Sequence, residues 1–224
     1  LDPAVNRARA SLGLPPMRFF DHFECPWAIA ADPALFPPDP QWPARIQAAN
    51  FIYLDDGPQA LGPELDAWLS DGEPPVFVGF GSMPVESPAN AVAMIENVTA
   101  ELGERALISS GVWDLPASRL GDHVKLVGPV NHAAVFPLCR ALVHHGGAGT
   151  TAAGLRAGVP TVVLWVSADQ PVWAGQIKKL KLGASQRFSK TTPASLKAAL
   201  RTALQPDCAA WVQATAQRLT RPAD

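Results

Sequence analysis

Residues 141–154 read ALVHHGGAGTTAAG, an apolar run followed by two histidines, three glycines within four positions and two threonines. Gly146, Gly147 and Gly149 permit backbone angles and close approaches that a Cβ would block, and the amides of Ala148, Gly149, Thr150 and Thr151 would open a helix without intrahelical partners. Unpaired amides at the positive end of a helix dipole favour an anion, most commonly a phosphate or diphosphate. A bare strand-to-helix turn is the alternative. The stretch Gly147 to Ala152 also satisfies the dinucleotide pattern G-x-G-x-x-A, with Asp169 about 20 residues further on, where a ribose-binding acid belongs. That pattern normally opens its domain, whereas several strands precede this one, and Asp169 falls in a SADQP loop past a strand end. His144 and His145 suggest a metal, but adjacent residues at a strand end point to opposite faces, and no carboxylate or cysteine nearby completes a set. One histidine facing a ligand and donating to a phosphate or sugar oxygen, with the other packed behind it, fits the spacing; so do two structural histidines. Asp169 and Gln170 together supply acceptors and donors suited to sugar hydroxyls, or they cap the helix that Pro171 begins.

These groups need a frame. VFVGF (76–80), RALIS (105–109), VKLV (124–127), ALVHH (141–145) and TVVLW (161–165) read as strands, several of them continuously apolar and therefore buried on both faces. Between them SPANAVAMIENVTAELG (87–103) carries helical spacing after a Ser-Pro start, and it ends at Gly103. TTAAGLRAG (150–158) and PVWAGQIKKLKLG (171–183) also end in glycine, suited to a left-handed cap. The alternation predicts an α/β fold, an open parallel sheet with helices on both faces. Ligands of such sheets bind beyond the carboxyl ends of the strands, so the glycine junctions GFGS (79–82) and HHGGAGTT (144–151) share one functional rim.

Fifteen of the 23 prolines precede residue 90, and FPPDPQWP (36–43) holds four of them, which predicts an extended linker. With 224 residues and 48% hydrophobic composition, one complete domain is expected. The net charge of -2 and pI near 6.2 argue against nucleic acid or anionic membrane as partners. Cys25, Cys139 and Cys208 are odd in number and widely spaced, so neither a disulfide framework nor a zinc knuckle is expected. The longest apolar stretch, around Ala157 to Val166, contains a proline and falls short of the roughly 20 residues of a membrane helix. A reduced, cytoplasmic chain without a transmembrane segment is expected, and the start at Leu1 reads as a fragment.

In order and spacing, PPVFVGFGSMP, VGPVNHAAVFPLCRALVHHGGAGTTAAGLRAGVPTVV and ADQPVWAGQIKKLKLGA resemble the donor-binding half of the sterol and macrolide type glycosyltransferases. These are UDP-sugar enzymes of the two-lobed GT-B architecture, whose C-terminal domain is Rossmann-like. The resemblance divides the chain into residues 1–45, the end of an N-terminal acceptor lobe with a proline-rich linker, residues 46–205, the donor domain, and residues 206–224, a C-terminal helix. It implies that Gly146 and the amides of Gly147, Ala148, Gly149 and Thr150 hold the donor diphosphate, with His144 on a phosphate oxygen. Gly81 and Ser82 would reach the diphosphate from the first junction. Val130, Asn131 and His132 would line uracil and ribose, and Asp169 and Gln170 would grip the sugar, with Gln170 pointing to glucose. The chain departs from the family at Trp165, Val166 and Ser167, where an aromatic approach to the acid-amide pair is usual.

The implied reaction transfers a hexose with inversion from a UDP-sugar, a substrate rather than a cofactor, to a hydroxyl of a lipophilic or small-molecule acceptor. No metal or cofactor is implied. The family's base is a histidine of the N-terminal lobe; His22 beside Asp21 does not match its motif, so the isolated chain is expected to bind donor and turn over little. A nicotinamide oxidoreductase and a UDP-sugar epimerase of GT-B architecture are the alternatives.

Overall fold

The structure is a computed structural model that describes residues 3–18, 25–52, 61–83, 87–111 and 120–220. The backbone divides into two compact units between Ile52 and Tyr53, seven residues beyond the expected boundary. In the first unit helix α1 (Pro3–Ser11) precedes two short parallel strands, β1 (Trp27–Ala30) and β2 (Ile46–Ala49), with Trp27 opposite Ile46. Parallel strands require a connection of a dozen or more residues. Residues 31–45 provide it, so the proline-rich stretch is a crossover inside this unit rather than a link between units. Asp32, buried at the start of the crossover, accepts the Ala34 amide at 2.7 Å. His22 and Asp21 lie outside the described residues.

The second unit runs α2 (Pro63–Ser70), β3 (Val76–Gly79), α3 (Pro88–Leu102), β4 (Ala106–Ser109), β5 (Val124–Val127), α4 (His132–Val135), β6 (Ala141–His144), α5 (Ala148–Arg156), β7 (Thr161–Trp165), α6 (Gln170–Lys179), β8 (Gly183–Arg187), α7 (Pro193–Ala203) and α8 (Pro206–Ala216). All six strands pair in parallel in the order β5-β4-β3-β6-β7-β8. The chain therefore starts at the centre, winds out to one edge, returns to lie beside its starting strand and winds out to the other edge. The switch falls between β3 and β6, and the crevice beyond their carboxyl ends is where sheets of this kind bind ligands.

Alternate residues of the central strands face two cores. Val76, Val78, Ile108, Val143 and Val162 pack with Val92 and Ile95 of α3 and Leu196 and Leu200 of α7. Phe77, Leu107 and Leu142 pack on the other face with Leu65 and Leu69 of α2 and Val135 of α4. Both faces being covered explains why these strands read as unbroken apolar runs. Helix α3 begins and ends as its sequence dictates: Ser87 Oγ accepts the Asn90 amide at 3.4 Å, and Gly103 takes φ +69.

Gly183 departs from expectation. Lys181, at φ +57, makes the left-handed turn after α6, while Gly183 opens β8 opposite Thr161. Among the described residues no helix is long and apolar enough to cross a membrane.

Candidate functional site

At the end of β3 the backbone turns at Gly81, φ +57, leaving Gly81 and Ser82 exposed on the rim. Phe80 anchors this turn from below, buried and edge-on to Phe188 beyond β8 at 5.2 Å. A third glycine, not among the expected site residues, sets the height of the turn. Gly111 follows β4 at φ +57, and a Cβ there would lie 2.4 Å from the Gly81 carbonyl oxygen. The β4 end is tied to the neighbouring strand by the Ser110 amide donating to Val127 O at 2.9 Å and Ser109 Oγ donating to Gly128 O at 3.1 Å. Its signal was present in the sequence as Ser-Ser-Gly directly after a strand.

On the other side of the switch, β6 delivers the two histidines to different places. His144 pairs beside Gly79 and Val163, is 0% exposed, and accepts the Gly146 amide on Nδ1 at 3.0 Å. Burial, then the neighbouring His145 and His132, lowers its pKa to about 3, so it is a neutral side chain across the physiological range. The expected phosphate contact at His144 is therefore not met, because the ring is enclosed and its acceptor nitrogen is spent on the turn. His145 occupies the rim instead. A Cβ on Gly81 would sit 3.4 Å from its Cε1, and one on Gly147 would sit 2.6 Å from its Nε2, so both junctions leave room for this half-buried imidazole by being glycine. Burial lowers the His145 pKa, and the Asp169 carboxylate partly offsets that.

Gly146 makes the sharp turn at φ +87, where a Cβ would meet Val163 Cγ1 at 2.6 Å. Gly147 is then the N-cap of α5, and no side chain caps the helix. Thr151 closes the first turn, its amide and Oγ1 both donating to Gly147 O at 2.9 Å. The amides of Gly147, Ala148, Gly149 and Thr150 precede the first intrahelical bond, and Gly149 is exposed. The positive end of α5 thus opens onto the rim next to His145.

The loop after β7 carries the acid-amide pair. Ala168 takes φ +56, a left-handed conformation strained for a residue with a Cβ, and this turn places Asp169 on the surface as the N-cap of α6. Asp169 accepts from Trp173 Nε1 on Oδ2 at 2.7 Å. Gln170 does not share its exposure. It is 5% exposed, its Oε1 accepts the amides of Val166 at 2.7 Å and Ser167 at 3.2 Å, and its Nε2 donates to Met83 Sδ at 3.4 Å. Gln170 thus braces its own loop against the β3 junction, and Asp169 presents the polar group.

Beyond β5, Val130 packs partly against the second core and Asn131 caps α4 by accepting the Ala134 amide at 3.2 Å. His132 stacks on Phe136 at 4.4 Å and meets Phe77 edge-on at 5.9 Å; burial and the nearby His145 lower its pKa. Three histidines thus converge near the switch, all held toward the neutral form. Among the described residues no group of three His, Cys, Asp or Glu side chains is placed to hold a metal. The dinucleotide pattern gains nothing, since it lies at β6 rather than the opening strand, and Asp169 stands at the N-terminal position of α6 rather than at the end of β7.

Residues 93–223 match the family described as erythromycin biosynthesis protein CIII-like, C-terminal domain. An uncharacterized glycosyltransferase of Mycobacterium bovis is 52% identical over 183 residues, 82% of this chain and 44% of that protein. The vancomycin aglycone glucosyltransferase of Amycolatopsis orientalis is 40% identical over 215 residues, 95% of this chain and 52% of that protein. Among solved structures, the glycosyltransferase of kitacinnamycin superposes with a TM-score of 0.74 at 20% identity, covering 96% of this chain and 58% of its own. The chain spans about half the length of the curated relatives it matches.

Proposed function

Because the chain belongs to the glycosyltransferases whose C-terminal domain is of the erythromycin biosynthesis protein CIII type, we propose that it is the half that binds a UDP-sugar, with glucose as the sugar. Its six-stranded unit has the Rossmann-like fold of a GT-B C-terminal domain. The family and its glycopeptide-modifying relative support the antibiotic-type side of the resemblance, and a sterol acceptor is not carried further. The observation that carries the proposal is the junction of β6 and α5: first-turn amides at an uncapped helix start, facing an imidazole seated between two glycine turns.

In this reading the diphosphate lies on the amides of Gly147, Ala148, Gly149 and Thr150, with His145 and Ser82 donating to its oxygens. Val130, Asn131 and His132 border the uridine side, and Asp169 accepts from sugar hydroxyls. An acceptor hydroxyl attacks the anomeric carbon from the face opposite the diphosphate. The new C–O bond forms as the bond to the phosphate oxygen breaks, the electron pair leaves with UDP, and the acceptor proton passes to a base. The amides and the α5 dipole stabilise the charge growing on the leaving diphosphate, and being preorganised they need no reorientation as it forms. We assign the base and the acceptor surface to the other half of the longer enzyme.

Calorimetry with UDP and UDP-glucose tests this assignment. His145→Ala is expected to weaken UDP by roughly 10- to 100-fold, about 1.5–3 kcal/mol for a hydrogen bond to a charged group. Absence of uridine-nucleotide binding at millimolar ligand, or stabilisation by NADH instead, would overturn the proposal.

A further inference from the structure

We infer that His144 is a positioning residue: its neutral imidazole holds the Gly146 amide through Nδ1 and so sets the direction in which the Gly147 to Thr150 amides point. The inference rests on the diphosphate site proposed above, and it concerns a residue that no ligand on the rim can touch.

Three observations carry it. Gly146 is the positive-φ residue of the turn between β6 and α5, held at φ +87 with Val163 and Gln170 packed where a side chain would go, so a rotation there would redirect the start of α5. Its amide is buried, and the acceptor it finds is the ring nitrogen two residues back, at 3.0 Å. A ring that accepts on Nδ1 carries its proton on Nε2, and that nitrogen is buried without a protein partner. A leucine would fill the same space without burying an unpaired donor. The bond to Gly146 accounts for histidine here, because it offsets the cost of the unpaired buried donor. Protonation would turn Nδ1 into a donor facing another donor, and enclosure of the ring prevents that.

The chemistry selects its own controls. Asparagine places Oδ1 where Nδ1 stands and can still accept from Gly146, whereas leucine cannot. His144→Asn is expected to keep UDP affinity within about threefold of wild type, and His144→Leu to lose about tenfold or more, the loss of one oriented hydrogen bond. Gly146 amide exchange should stay slow in His144→Asn and become fast in His144→Leu. In the unmutated chain, nitrogen NMR of the imidazole should show the Nε2–H tautomer, with Gly146 coupled to Nδ1 through the hydrogen bond. An Nδ1–H tautomer, or equal weakening of UDP by both variants, overturns the inference even if the donor site stands. Wild-type chain that shows the coupling yet fails to bind UDP overturns the donor reading and the positioning role with it, leaving only a turn brace.

Discussion

Gly183→Ala should destabilise the protein by about 3–5 kcal/mol, lowering its melting temperature by roughly 10 °C. A Cβ at this position would lie 1.8 Å from the Thr161 carbonyl oxygen and within 2.9 Å of two further backbone atoms, at φ +147. All three atoms are backbone of Thr161, with no side chain to yield, so the edge strand β8 would have to move away from β7. Thr161 is the first residue of β7, and its amide donates to Leu182 O at 3.1 Å, so the entry of both strands is affected. Thermal and urea unfolding of the variant measure the loss. A change within about 0.5 kcal/mol, the range of ordinary surface substitutions, would mean that the packing of β8 is misdescribed.

Gly111→Ala should cost about 2–4 kcal/mol from overpacking and left-handed strain, and should also weaken UDP binding about tenfold or more. The new methyl would press on the Gly81 carbonyl at 2.4 Å, and that turn is what His145 rests against. Gly103→Ala separates strain from position. It has nearly the same φ, +69, and nothing within 4 Å of a Cβ, so it should cost only about 1–2 kcal/mol and leave UDP affinity unchanged. If the two variants bind UDP alike, the Gly111 turn does not support the site.

Much of the sheet was legible because burial on both faces leaves a run of apolar residues that few other structures produce. TVVLW gives β7 to the residue in this way, while VKLV gives the half-exposed edge strand β5 by its β-branched ends alone. The strand β8, GASQR, was not legible: it is an edge strand of small and polar residues, and its place is fixed by pairing to β7 and by the close approach at Gly183. The first unit hid for a related reason. Its prolines look like a linker in sequence, while two four-residue strands that pair across them carry no clear periodicity.

For the site, spacing established that the two histidines diverge and could not establish which one faces the rim. Tertiary packing decides that, through glycines 81 and 147 that make room for His145 and through the core that closes over His144. Gln170 shows the same limit. A carboxamide beside an exposed acid reads as a ligand group, yet its side chain turns back onto the loop that precedes it. At Gly111 the Ser-Ser-Gly sequence marks a turn after a strand, but the Gly81 carbonyl that the turn must clear comes from another strand and only the fold brings it there.

We place the donor diphosphate at the start of α5. Titrating the isotopically labelled chain with UDP, with each backbone amide followed by NMR, reads this placement residue by residue. The largest saturable shifts are expected at Gly147, Ala148, Gly149 and Thr150, accompanied by the His145 ring. Saturable binding of UDP that leaves those four amides in place would contradict the claim.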